Sequence, residues 1–189
     1  HIDTAMPNLT PVRIHVLDTP GYPDYIGQDL SALDAVKSVA AVIDATKGVD
    51  LFTQRMMDMA AERKLCRMIV VNKFDVPEAN LEELLAEMQA IWGPGVLPIN
   101  LPTQNHAHVI DCFEREEGES DIMSVADVHR AFIERIVEED DEQLERYLEQ
   151  GSVDPRTLHP LITKALREGH IIPVCFVSAK NLIGIRDFM

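Results

Sequence analysis

The chain has 189 residues and is 46% hydrophobic, which is enough for one sizeable core and excludes an intrinsically disordered protein. Its formal net charge is −15, and the segment 114–154 alone, with fifteen acidic and four basic residues, carries −11. Because that segment would repel phosphates, we expect no direct binding to free DNA. A solvated acidic surface and a docking surface for a basic protein partner both fit the segment.

The cellular setting follows from what the sequence lacks. No apolar run approaches the length of a membrane-spanning helix and no signal peptide is visible, so we expect no membrane association and a cytoplasmic location. Cys66, Cys112 and Cys175 are widely spaced, which favours reduced thiols. The chain starts at His1 without an initiator methionine and stops at Met189 where a helix is beginning. We therefore expect a piece of a larger protein.

The first half of the chain alternates apolar strands with amphipathic helices. A hairpin is predicted at 2–17, with its turn at 8–11 and its second strand at 12–17, and a loop follows at 22–28. Further strands are predicted at 39–44 and 67–71, and helices at 29–37, 52–64 and 81–92. Phe52, Met56, Met59 and Ala60 should form the buried stripe of the second helix, and Asn80 with Glu83 should cap the third. Because the strands are apolar throughout, they predict a parallel sheet with helices on both faces.

The pattern changes at Gly93-Pro94-Gly95. Strands are predicted at 96–101 and 106–114, a polar loop at 116–121, helices at 125–137, 141–150 and 155–168, and a last buried strand at 171–177. We interpret 96–169 as an inserted acidic α+β subdomain, and 1–95 with 170–189 as the α/β core. His106 and His108 alternate on a predicted strand but lack a third ligand, so we expect structural roles for both. Trp92 is expected to pack between core and insertion.

Polar motifs follow three of the predicted strands, at 18–21, 72–75 and 178–180. In open α/β sheets, ligands bind outside the carboxyl ends of the strands, so we expect all three motifs at one edge of one sheet. In the first motif, Asp18 could hold a hydrated divalent cation, and the backbone N–H of Gly21 could point at an anion. Taken alone, this motif is equally compatible with a tight turn that an aspartate caps.

The second motif, Asn72-Lys73-Phe74-Asp75, has a specific physical use. Its aspartate can accept both N–H groups of the Watson–Crick edge of guanine, its asparagine can meet the other edge, and its lysine stem can stack along the ring. In Ser178-Ala179-Lys180, the backbone N–H of Ala179 would meet the guanine oxygen. Each motif alone also fits a solvated turn, but the ordered set at three strand ends favours a guanine site that rejects other bases.

With these motifs in order, the chain resembles the G domain of translational GTPases, specifically that of elongation factor G. The residues that carry the resemblance are DTPGYPDY at 18–25, NKFD at 72–75 and SAK at 178–180, with LPINLP at 97–102, DEQLERYLEQG at 141–151 and IIPVCFVSAKNLIGI at 171–185. The resemblance covers essentially the whole chain. It implies a P-loop NTPase-like α/β G-domain core, incomplete at the N-terminus, with an inserted subdomain.

The resemblance also implies roles for single residues. Asp18 would hold magnesium through a water, and Gly21 would donate its N–H to the γ-phosphate in a second switch segment that includes Thr19 and Pro20. The residues implied in guanine binding are Asn72, Lys73, Asp75, Ser178, Ala179 and Lys180. The implied reaction is phosphoryl transfer from GTP to water, coupled to ribosomal translocation or a related step. The implied partners are the ribosome and its stalk protein, which would meet the acidic insertion.

Two departures from the family pattern stand out. The phosphate loop GxxxxGK[ST] and the first switch are absent from the printed sequence, so we expect them upstream of His1 and expect this chain alone to bind no GTP or GDP. In the family motif DxPGH, the histidine orients the attacking water, but here the position is Tyr22. A phenol cannot act as an imidazolium at neutral pH, although it can position water or pack against the first switch. We therefore expect a paralogue with altered hydrolysis.

Two other functions fit the sequence. A degenerate G domain could act as a non-hydrolysing scaffold whose acidic insertion recruits a basic partner. The chain could also come from another translational GTPase, such as a ribosome-protection factor or a peptide-release factor. An intact phosphate loop upstream of His1 would favour a GTPase over the scaffold.

Overall fold

A computed structural model describes residues 2–4, 12–151 and 155–188 of the chain. The elements in chain order are β1 (Ile2–Thr4), β2 (Val12–Ile14), a 3₁₀ turn (Pro23–Tyr25), α1 (Ile26–Leu33), β3 (Ser38–Asp44), α2 (Leu51–Glu62), β4 (Cys66–Asn72), α3 (Leu81–Trp92), β5 (Val96–Pro98), β6 (Asn100–Thr103), β7 (His108–Asp111), α4 (Val125–Val137), α5 (Asp141–Gln150), α6 (Pro155–Glu168), β8 (Ile172–Val177) and α7 (Ile185–Phe188). Within these ranges, no helix combines the length and apolarity that crossing a membrane requires.

A four-stranded parallel sheet forms the centre of the fold, with the strand order β3-β4-β8-β5. The predicted α/β class with a mostly parallel sheet is confirmed. The register aligns Asp44, Asn72 and Val177 across β3, β4 and β8, so these three strands end at the same level. The loops that follow β4 and β8, which carry two of the three polar motifs, are therefore neighbours.

Side chains alternate between the two faces of the sheet, which divides the core. One face carries the large core that α2, α3 and α4 cover, and its strand residues include Ile69, Val71 and Phe176. The other face carries a small cluster around Val70 and Cys175. Val42 pairs with Val70 in register and so lies on this second face, where its side chain is 64% exposed. The second face is thus only partly covered within the described residues.

The prediction of a strand at 12–17 is wrong in two respects, because the strand is shorter and it lies outside the parallel sheet. It is three residues long and pairs with β1 in a separate antiparallel hairpin, while Val16 and Leu17 are exposed. An apolar run becomes a buried strand only where a partner strand and a covering layer exist, and the described residues provide neither for 16–17. The expected partner of β2 is confirmed by the pairing with β1, and the expected turn at 8–11 lies outside the described residues.

The predicted single strand at 96–101 is also wrong, because it is two strands in two sheets. β5 pairs with β8 in the parallel sheet, while β6 pairs with β7 in an antiparallel hairpin, and the chain turns at Ile99 between them. All of 96–98 and 100–102 is buried, so the hydrophobic pattern alone does not show the break. Residues 96–98 of the predicted insertion thus lie in the sheet. The division into core and insertion otherwise stays a prediction.

Smaller differences concern helix ends and faces. α1 begins at Ile26, inside the predicted loop at 22–28, and it ends at Leu33 instead of continuing to 37. In α2 the fully buried methionine is Met57, not the predicted Met56 or Met59. The predicted cap of α3 is confirmed, since the Asn80 side chain accepts from the Glu83 N–H at 3.3 Å.

A buried asparagine fastens the hairpin of β6 and β7 to the sheet. The Asn100 side chain is fully buried, donates to the Phe176 carbonyl at 3.2 Å and accepts from the Phe176 N–H at 2.7 Å. β6 thereby satisfies both backbone groups of a residue in β8 that lies two positions before Ser178. Unpaired, these buried groups would cost free energy.

We predict that Asn100→Ala lowers the free energy of unfolding by about 2–4 kcal/mol, because two buried backbone groups lose their partners. Urea denaturation followed by circular dichroism measures this change. Gln150→Ala is the control, since Gln150 is exposed at the end of α5 and its truncation should change stability by less than about 0.5 kcal/mol. Equal effects of the two substitutions would contradict the prediction.

Candidate functional site

Two loops meet at the carboxyl ends of β4 and β8, and one side chain joins them. The Oδ1 atom of Asn72 accepts from the N–H of Lys73 at 2.9 Å and from the N–H of Ala179 at 3.0 Å. A single carbonyl oxygen thus holds together motifs that lie more than a hundred residues apart in sequence. Among the described residues, the Nδ2 group of Asn72 has no hydrogen-bond partner, which leaves two N–H donors for a ligand.

The carboxylate of Asp75 makes the second link between the loops. Its Oδ2 atom accepts from the Ser178 hydroxyl at 2.9 Å and from Asn181 Nδ2 at 2.5 Å. Ser178 is 1% exposed, and its Oγ in turn accepts from the Asn181 N–H at 3.3 Å. Within the described ranges, the Oδ1 atom of Asp75 has no partner. Asn181 was not predicted as a site residue, and the only signal was its position directly after Lys180.

Lys73 has a partner that the sequence analysis also missed. Its Nζ lies 2.6 Å from Oδ2 of Asp44 at the end of β3, while Oδ1 of Asp44 accepts from the N–H and hydroxyl of Thr46 at 3.0 and 2.8 Å. Mainly the hydrogen bond from Lys73, with those from Thr46, lowers the pKa of Asp44 to about 2. Lys73 also adopts a positive φ of 65°, so the loop turns sharply here.

The atoms that these bonds leave free, among the described residues, are of the kinds that pair with the edge of a nucleobase. An unpaired carboxylate oxygen on Asp75 accepts N–H groups, and an unpaired amide on Asn72 donates to ring nitrogen or carbonyl acceptors. Ala179 and Lys180 are exposed beside them. The Ala179 N–H, predicted to meet the guanine oxygen, donates to Asn72 in this arrangement. The structure therefore brings together all six residues that were predicted to bind the base.

The structure does not bring the third motif to this place. Residues 18–21 are exposed and irregular, and they follow a hairpin outside the parallel sheet. Within the described ranges, no hydrogen bond or ion pair connects them to the loops at 72–75 and 178–181, so the expectation of three motifs on one sheet edge is wrong. Gly21 has a φ of 66°, and apart from its chain neighbours no heavy atom of the described residues lies within 4 Å of where its Cβ would be, so its backbone is open to an approaching ligand. Tyr22 is 68% exposed.

Asp18 supplies one carboxylate for a metal, and in the described part of the chain it belongs to no group of three or more candidate ligands. Magnesium binds one or two carboxylates and takes its other ligands from water and phosphates, so a lone exposed aspartate is compatible with it. A separate group of candidate ligands comprises Glu139, Glu168 and His170. There Glu139 already pairs with His170 at 2.5 Å and with Lys164 at 3.3 Å.

The cysteines have no role at this site. Cys112 and Cys175 are buried, and this burial raises the pKa of each thiol to about 12, so both remain protonated and unreactive at neutral pH. Cys66 is half-buried at the start of β4. All three are free thiols, as predicted.

Known proteins are similar to this chain in sequence, and one solved structure is similar to it in fold. An "Elongation factor G-like protein" of Thermotoga maritima is 27% identical over 185 residues, which cover 92% of this chain and 27% of the relative. "Peptide chain release factor 3" of Gloeobacter violaceus is 28% identical over 188 residues, which cover 94% of this chain and 35% of the relative. A crystal structure of a Thermus thermophilus protein matches with a TM-score of 0.77 and 30% identity, over 90% of this chain and 28% of that one.

These relatives are longer than the chain, which spans between 27% and 35% of their length. The match to a family of domains is nearly complete, however. The sequence profile described as "Elongation factor Tu GTP binding domain" matches residues 4–189. The expected resemblance to translational GTPases is thereby confirmed, and the chain belongs to the family of elongation factor Tu GTP-binding domains.

Proposed function

We propose that the chain is the GTP-binding module of an elongation-factor-G-like translation factor, in which GTP hydrolysis is coupled to ribosomal translocation or a related step. One observation carries this proposal. Asn72 and Asp75 each use one oxygen to join the loops at 72–75 and 178–181, which we call the base-binding loops. Within the described residues, each keeps its other polar atom free. A turn stabilised only by its own charges would not need two cross-links that each leave one polar group unpaired.

Guanine would be recognised by the free atoms of this pair. Oδ1 of Asp75 accepts from the ring N–H and the exocyclic amine, while Nδ2 of Asn72 donates to the opposite edge of the base. The stem of Lys73 covers one face of the ring, and residues 178–180 line the rest of the pocket. A base that lacks the matching groups would leave these polar atoms unpaired, which costs far more than losing an apolar contact.

The phosphate end of the site involves residues 18–22. Bound magnesium would neutralise developing negative charge on the phosphates, and Asp18 would hold it through a water. Thr19 and Pro20 lead into Gly21, whose open backbone lets its N–H approach the γ-phosphate. Tyr22 would orient the attacking water through its hydroxyl group. The phosphate loop and first switch, which this sequence does not contain, would complete the site in the longer protein that we expect to contain the chain.

The relatives support a ribosomal partner, because they are named as an elongation-factor-G-like protein and a peptide chain release factor. The stalk protein would meet the acidic segment 114–154, where α5 has no buried residue and presents acidic side chains to solvent. We expect a cytoplasmic protein that binds neither membranes nor free DNA. The family match favours this GTP-binding function over a non-hydrolysing scaffold.

We predict that Asp75→Asn in the full-length protein weakens GDP binding about 10- to 100-fold, because a charged acceptor of two N–H groups is lost. The same substitution should strengthen binding of xanthosine diphosphate (XDP). Where guanine has its exocyclic amine, xanthine has a carbonyl group, and the new amide can donate to it. Competition against fluorescent GDP measures both affinities. The full-length protein is required, since we expect the 189-residue chain alone to bind no nucleotide measurably by calorimetry.

Asp141→Asn is the matched control, since Asp141 lies exposed at the start of α5 and should leave both affinities unchanged. If Asp75→Asn leaves GDP binding intact, or weakens GDP and XDP equally, Asp75 does not read the base and the proposed function fails.

We predict that Tyr22→His raises ribosome-stimulated GTP hydrolysis by about tenfold or more, since positioned proton-transfer groups contribute at this scale. Phosphate release by the full-length protein on ribosomes measures the rate. Tyr25→His is the control, because Tyr25 is also exposed, three residues further along, and should not change the rate. An unchanged rate in Tyr22→His would count against a hydrolytic role and favour packing against the first switch.

A further inference from the structure

The two base-binding loops rest on a pair of aromatic rings. Phe74 lies between Lys73 and Asp75 in the first loop and is fully buried. Its ring packs edge-on against that of Phe176, with centroids 6.4 Å apart and planes at 73°. Phe176 lies two residues before Ser178 at the start of the second loop. The position of Phe74 therefore determines where the neighbouring Asp75 carboxylate stands.

A third ring reaches this pair from the turn between β6 and β7. The imidazole of His106 lies with its centroid 6.2 Å from that of Phe74, and the planes are tilted by 59°. His106 is half-buried, whereas His108, two residues further along the same hairpin, is exposed. Although the two histidines look equivalent in the sequence, only His106 makes a ring contact within the described residues.

The turn that carries His106 has an unfavourable backbone. Gln104, Asn105 and His106 have φ values of 57°, 56° and 63°, three successive left-handed residues, none of them glycine. Left-handed backbone is unfavourable for glutamine and histidine, and less so for asparagine, so it persists where surrounding contacts hold it. The holding group is the carboxylate of Asp121, which accepts from the Asn105 N–H at 3.2 Å and from the His106 N–H at 2.7 Å.

Asp121 is itself fixed to the hairpin, because its own N–H donates to the carbonyl of Pro102 in β6 at 2.8 Å. β6 is in turn fastened to β8 through Asn100 and Phe176. Hydrogen bonds thus fix the turn to β6 and fix β6 to β8, so the contact between His106 and Phe74 has a rigid support.

We propose that the turn 104–106, held by Asp121, is a brace that positions the guanine-binding loop, with His106 as its positioning residue. The inference rests on the proposed function, since it concerns how accurately Asp75 is presented to the base. Without the imidazole, Phe74 has space to tilt, and Asp75 shifts relative to Asn72. The contact with the exocyclic amine of guanine, which depends on the placement of Asp75, is the part of recognition that weakens.

The test compares the affinities of the full-length protein for GDP and for inosine diphosphate (IDP), whose base lacks that exocyclic amine. The ratio of the two affinities reports the Asp75 contact directly. His106→Ala should lower the preference for GDP about three- to tenfold, in the range of coupling between contacting residues. His108→Ala is the matched control and should leave the ratio at its wild-type value. A destabilised variant with a smaller folded fraction would lose GDP and IDP affinity equally, so its ratio would not move.

A second pair of variants tests the turn itself. Asp121→Ala should lower the GDP preference in the same direction as His106→Ala, because the left-handed turn loses its anchor. Adding Asn105→Gly should restore part of the preference, since glycine adopts positive φ without steric cost.

A GDP preference that is unchanged in both His106→Ala and Asp121→Ala would overturn the brace while leaving the proposed function intact. A wild-type protein that does not distinguish GDP from IDP would overturn the proposed recognition of the amine by Asp75, and the brace with it.

Discussion

The side-chain oxygen of Asn72 is the interaction on which the candidate site depends. It accepts from the N–H groups of Lys73 and Ala179 and so links the end of β4 to the end of β8. This link is possible because the parallel register brings Asn72 level with Val177, which places the two following loops side by side. The link between Asp75 and Ser178 reinforces it. Among the described residues, the Nδ2 donor of Asn72 and the Oδ1 acceptor of Asp75 remain unpaired, and these two groups give the site its chemistry.

The apolar packing of these loops is as specific as their polar contacts. Phe74 occupies the variable position of its motif, where sequence reasoning assigns no role, yet it is fully buried against Phe176. Asn100 satisfies the backbone of Phe176 from the neighbouring hairpin, and the strained turn at 104–106 meets Phe74 through His106. The polar loop at 72–75 thus packs through Phe74 against rings from two separate parts of the chain, and a turn with three positive φ values lies beside it.

The sequence was sufficient for features that depend on local pattern. Continuous apolar runs before Asn72 and Ser178 predicted buried parallel strands, and the two motifs that follow these strands were correctly expected at one edge of the sheet. It was insufficient where a partner is chosen by tertiary register. Asp44 meets Lys73, and Asn181 meets Asp75, only because strands of the sheet end at one level.

The same limit explains the errors at 12–17 and 96–101. Hydrophobic periodicity shows which side chains could be buried, but it does not show whether a neighbouring strand or helix layer is present to cover them. Val16 and Leu17 are therefore exposed despite their pattern, and the break at Ile99 is invisible because the residues on both sides of it are buried.

Hydrogen–deuterium exchange in Asn72→Ala tests the central link most directly. In the full-length protein, peptides that cover 72–75 and 178–181 can be followed separately by mass spectrometry. If the Asn72 oxygen holds both loops, its removal should speed exchange in both peptides, because the N–H groups of Lys73 and Ala179 lose the same acceptor. Faster exchange in 72–75 with unchanged exchange in 178–181 would contradict the account, since the loops would then be ordered independently.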